Sequence, residues 1–115
     1  MDRRKDAKEK LLTPDRAALY SIRSDMDLEG NFRESLLEVM PDRIRVRTAR
    51  GVLSRVPRAE LDHVISTEYV GNGLLEGVRT DGTHEALLRY SKTLSDQFEE
   101  AEDEINALLG HELSE

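Results

Sequence analysis

HEALLRYSKTLSDQFEEAEDEINALLG, residues 84–110, contains the change of period on which the fold turns. His84–Tyr90 reads as a short strand behind the turn pair Asp81 and Gly82. Beyond Tyr90 the apolar residues Leu94, Phe98, Ala101, Ile105 and Leu108 recur every three or four positions, which places them on a single helical stripe. Ser91 or Thr93 is placed to cap the start of this helix, and Gly110 stands where a helix commonly ends. Glu99, Glu100, Glu102, Asp103 and Glu104 fill the opposite face, which is expected to be wet. Burying one Leu or Phe side chain contributes about 1.5 to 3 kcal/mol. A lone helix with such a stripe must therefore pack against whatever precedes it.

What precedes it reads as strands in hairpin order. Working back, LLEGVRT (74–80) and HVISTEYV (63–70) flank the hairpin signal GNG at 71–73, where Asn and Gly tolerate positive backbone angles. PRAEL (57–61) suggests one helical turn, and Pro57 stops the strand VLSRV (52–56). In RIRVR (43–47) Ile44 and Val46 alternate with Arg43, Arg45 and Arg47, a strand period that predicts apolar residues inward and arginines in water. Pro41 and Asp42 turn the chain from RESLLEVM (33–40), and DMDLEGN (25–31) forms a loop after a first strand within residues 17–25. Seven strands and a terminal amphipathic helix predict a mainly β domain, an antiparallel barrel or sandwich capped by the helix, over residues 17–110. Residues 1–16 read as a charged arm, disordered or a short helix, and 111–115 as a tail.

The chain has 115 residues, enough for one ordinary domain. It has no Cys, which removes disulfides, thiolate metal sites and a thiol nucleophile from consideration and fits a reducing cytoplasm. No apolar run of signal-peptide or membrane-spanning length occurs. The net charge of −7 is unevenly distributed: residues 1–58 carry an excess of positive charge and residues 59–115 an excess of negative charge. A nucleic-acid binder draws affinity from a basic surface. The acidic whole and the scarcity of Phe and Trp for base stacking argue against that class.

The basic concentration is Arg43, Arg45, Arg47, Arg50, Arg55 and Arg58. It reads first as a solvated strand face that discourages edge-to-edge aggregation, and second as a docking face for an acidic partner or anionic lipid. Asp25 to Phe32 matches the front of a calcium loop, but the twelfth position, which needs a bidentate Glu, is Leu36. An acidic hairpin loop is the expected reading. His63, His84 and His111 lie in different elements without paired-ligand spacing, so surface histidines are expected. The serines show no nucleophile elbow, and no phosphate-binding glycine loop is present. No catalytic group, cofactor or metal site is expected.

The segments VMPDRIRV (39–46), RVPRAELDHV (55–64), YVGNGLLE (69–76), TDG (80–82) and EALLRYSKTLSDQF (85–98) resemble the pleckstrin-homology-like domain that precedes the membrane and ATPase parts of some bacterial ABC exporters. The resemblance extends from Leu19 to Leu109, with VGNGLLE and LLRYS as its most specific parts. It implies a noncatalytic cytoplasmic accessory domain, at the inner face of the membrane, whose partners are the transmembrane and ATPase domains of a transporter. ATP hydrolysis would then lie outside these residues, and membrane contact would be indirect. A peripheral module that binds anionic lipid or an acidic protein is the alternative. The surfaces expected to act are the arginine strands and the Tyr69–Gly73 hairpin with Tyr69 and Asn72 at its tip.

Overall fold

The computed structural model describes residues 12–110. The charged arm is thus seen from Leu12 onward; the tail at 111–115, with His111, lies outside the described residues. Among the described residues, strands β1 (Tyr20–Met26), β2 (Phe32–Val39), β3 (Arg43–Thr48), β4 (Gly51–Pro57), β5 (Leu61–Tyr69), β6 (Asn72–Arg79) and β7 (His84–Ser91) precede one α-helix, α1 (Ser95–Leu108). The strands form a single antiparallel sheet in the order β4-β3-β2-β1-β7-β6-β5. The mainly β class with one C-terminal helix is therefore as the periodicity predicts. The barrel alternative is corrected, because β4 and β5 end the sheet unpaired with each other. Between them the chain crosses through the short 3-10 turn Arg58–Glu60, the helical turn read in PRAEL.

One apolar core joins both halves of the sheet to α1. Leu37, Val39, Ile44, Val46 and Val56 meet Val64, Leu75, Leu87 and Tyr90, and α1 adds Phe98, Ala101 and Ile105. Phe98 and Ile105 are fully buried, so the predicted stripe is the face that docks. Tyr90 stacks on Phe98 with ring centroids 4.1 Å apart and planes 5° from parallel. Gly73 permits that stack, since a Cβ there would lie 2.3 Å from the Tyr90 ring. The hairpin turn itself falls on Val70 and Gly71, the latter at φ 84°, one position before the turn read in GNG.

Two further departures concern α1. No side chain caps its start, where Leu94 is the N-cap after a 3-10 turn at Lys92–Leu94. Ser91 instead gives its N–H and hydroxyl to the Asp25 carboxylate, at 3.1 and 2.6 Å. The acidic face is also not uniformly wet. Glu102 is half-buried and accepts the Ser66 N–H at 3.2 Å, while Asn106 accepts from Val64 N–H at 2.8 Å and donates to Val64 O at 3.0 Å. These bonds lay α1 along the outer edge of β5.

Candidate functional site

Five of the six arginines fall into three groups, and Arg43 stands apart from them. Arg45 and Arg47, expected in water, are corrected: their side chains are only 15% and 23% exposed. They converge on Glu38, which the β2–β3 register places on the same outer face and which is fully buried. Arg45 Nε and Arg47 Nε donate to Glu38 Oε1 at 2.7 and 2.8 Å, and Arg47 NH2 reaches Oε2 at 3.0 Å. The other lid on this cluster is the chain just before β1. Asp15 N–H donates to Glu38 Oε2 at 2.7 Å, Arg45 reaches the Asp15 carboxylate at 3.1 Å, and Arg47 holds the Thr13 carbonyl. The Arg47 guanidinium, with Arg45 and the Asp15 amide, draws the Glu38 pKa down to about 2 against the cost of burial. The same carboxylate raises the pKa values of Arg45 and Arg47.

Arg58 forms the second group. Its guanidinium donates to the carbonyls of Met40, at 3.4 Å, and Pro41, at 3.2 Å, and to the Leu108 carbonyl at the end of α1. It ties a hairpin to a helix C-terminus, where a cation is favoured. Arg43 pairs with its neighbour Asp42 at 2.7 Å. Arg50 and Arg55 are the third group: both are exposed, and neither makes an ion pair among the described residues. They flank Val52 and Leu53 on β4, which stand 41% and 55% exposed.

The second expected surface also divides. Tyr69 is 53% exposed and its neighbour Val70 is 99% exposed. Asn72 is engaged, because its Oδ1 accepts from Arg89 NH1 at 2.8 Å while Arg89 Nε donates to the Leu28 carbonyl at 3.1 Å. It braces the contact between β7 and the β1–β2 loop.

The acidic loop uses its own oxygens. Asp27 Oδ1 accepts the Glu29 and Asn31 amides at 3.0 and 2.9 Å, and Asp25 is held by Ser91, so both leading carboxylates of the calcium-like run have partners. Burial pushes the Asp27 pKa up, but these hydrogen bonds outweigh it and the net direction is down. Among the described residues no cluster of metal-ligating side chains forms. His63 and His84 contact Asp62 and Glu76 at the surface.

An open cleft of about 570 Å³ lies beside Phe32 and Leu94, with Arg23 and Glu34 in its wall. Those two side chains pair with each other, and both hold the backbone of Leu12. Phe32 itself is 76% exposed, a surface residue that the strand pattern did not single out. Comparison of the chain with protein-family models, curated proteins and solved structures finds no match.

Proposed function

We propose that this domain is a noncatalytic interaction module, serving as the cytoplasmic accessory part of an ABC-type exporter. The exporter assignment draws on the resemblance carried by VGNGLLE and LLRYS, and the sheet order and docked helix over the same span are compatible with it. Noncatalytic action is supported by the use made of the interior charge: Glu38 is consumed by Arg45, Arg47 and Asp15 in holding the fold. The observation that carries the interaction reading is exposed apolar side chains, on β4 beside arginines that make no ion pair among the described residues. Val52 and Leu53 stand in water between Arg50 and Arg55, and Tyr69 and Val70 stand in water at the far hairpin.

The second reading, an acidic protein partner for the arginine strands, is favoured over anionic lipid by the pairing pattern. A lipid surface rewards rows of free cations by about 1 kcal/mol each. Arg45 and Arg47 are already balanced by Glu38 and Asp15, Arg43 pairs with Asp42, and Arg58 is spent on backbone carbonyls, which leaves Arg50 and Arg55. A photo-crosslinking residue placed at Tyr69 or Leu53 of the full chain in its own cells tests the assignment. The expected adduct is a membrane-embedded, ATP-hydrolysing polypeptide segment. Adducts confined to soluble proteins would sink the exporter role, and no adduct from either position would sink the interaction module itself.

A further inference from the structure

The two edges of the sheet differ in what occupies them. Along β5, Asn106 of α1 takes the outward N–H and C=O of Val64, and Glu102 takes the N–H of Ser66. Along β4 no backbone partner stands on the outer side among the described residues. The register shows which groups face out. Arg58 N–H donates to Asp42 O at 2.9 Å, and the pairs Ile44 with Val56, Arg45 with Arg55 and Val46 with Ser54 follow in step. Hydrogen-bonded pairs alternate along an antiparallel ladder. Val56 and Ser54 therefore turn their backbone groups to β3, and Arg55 turns its N–H and C=O away from the sheet.

A bulge between Val46 and Arg47 leaves Leu53 as the extra residue of β4, and Pro57 ends the strand. Bulges, prolines and cations are the usual guards of an edge. What separates β4 from a merely guarded edge is the exposed pair Val52 and Leu53 set between two exposed cations that make no ion pair among the described residues. An unpaired N–H and C=O, apolar side chains and free positive charge are the complement of an extended peptide with acidic side chains.

We propose that the outer edge of β4, centred on Arg55, takes an extended acidic segment of a partner protein as an added strand. This deepens the interaction-module reading and rests on it. Charge disfavours a second copy of the chain as the occupant: pairing two β4 edges about Arg55 would set two guanidiniums without ion-pair partners among the described residues against each other, which is destabilising. Shifting that pairing two residues brings Pro57, which has no N–H to give, opposite Arg55.

The test titrates the isotope-labelled full chain with a short capped peptide of alternating glutamate and valine, followed by amide NMR, with a lysine and valine peptide as the control. The expected result is a set of shifts centred on Val52 and Arg55, slower hydrogen exchange of the Arg55 amide, and affinity that falls as salt rises. Arg55→Glu should weaken binding about tenfold or more, by loss of one attraction and gain of one repulsion. Leu53→Ser should weaken it with the salt dependence unchanged. Equal binding of the lysine peptide, shifts confined to the β5 edge, peptide-independent pairing of β4 with β4, or no shift at about millimolar peptide would each overturn the proposal. Because the peptide replaces any transporter, a silent titration together with membrane-protein crosslinks from Tyr69 would remove this site and leave the exporter assignment standing.

Discussion

Glu38 is a carboxylate with no exposure, held by two guanidiniums and one backbone amide, and this makes it the residue on which the domain's acid stability turns. Its pKa falls from 4.5 to about 2. A depressed carboxylate stabilises the fold fully above its unfolded value and loses that contribution as pH drops through its folded value. The window runs from about pH 4.5 down to about pH 2, and the contribution at neutral pH is on the order of 3 kcal/mol. Glu38→Gln should lower stability at neutral pH by about 3 kcal/mol or more, because Arg45 and Arg47 lose their shared counter-charge. It should also flatten the loss of stability across that acid window. Urea unfolding at neutral pH and near pH 3 measures both, and an unchanged acid slope would exclude Glu38 as the source. The burial of Arg45 and Arg47 was only half legible. RESLLEVM carries Leu36 and Leu37 before Glu38 and Val39 and Met40 after it, a run typical of a strand covered on both faces. What covers the second face is the stretch Leu12–Arg16, which docks through Asp15 and backbone groups and so leaves no period to read.

At the scale of elements, α1 was legible in its apolar stripe and illegible in its polar flank. The stripe predicts that Phe98→Ala costs about 3 to 5 kcal/mol, since it empties a fully buried site and unstacks Tyr90. The flank predicts something periodicity cannot: Asn106→Ala strips both the N–H and the C=O of Val64 of their partner. A loss of about 1 to 3 kcal/mol is expected, with faster hydrogen exchange at the Val64 amide; unaltered exchange there would show that the edge of β5 is closed by something else. GNG teaches a related lesson. Gly71 supplies the positive angle, whereas Gly73 is a strand residue lying under an aromatic ring, and one sequence pattern serves both needs. Gly73→Ala should therefore displace Tyr90 from Phe98 and cost about 1 to 3 kcal/mol, visible as a weakened near-ultraviolet dichroism signal. A native aromatic signal in that variant would contradict the packing described.

For the whole molecule, the hairpin order made the sheet predictable, but the same order is compatible with a closed or an open sheet. Closure is decided by partners far apart in sequence, and here α1 lies on β5 while β4 has no backbone partner on its outer side among the described residues. The middle of the sheet is decided the same way. β1 and β7 share one paired position, Met26 with Arg89, and the rest of their junction is made by side chains. Ser24 Oγ donates to Arg89 O, and Asp25 takes both the N–H and the hydroxyl of Ser91. None of this is a pattern in sequence, because Asp25 reads as the start of an acidic loop and Ser91 as a helix cap. The junction should then be the place where the two halves of the sheet part first, since it has the fewest backbone bonds to break while the core still holds. Asp25→Ala removes the acceptor from two donors to a charged group and should lower global stability by about 1.5 to 3 kcal/mol. More tellingly, exchange at the Ser91 amide should accelerate well beyond what that global loss accounts for, while Leu37 and Val46, deep in the β1–β4 half, follow the global change alone. Asp25→Asn, which keeps one acceptor oxygen, should fall between. If the Ser91 amide in Asp25→Ala exchanges no faster than those of Leu37 and Val46, the sheet opens as one piece and the side-chain junction is not its weak line.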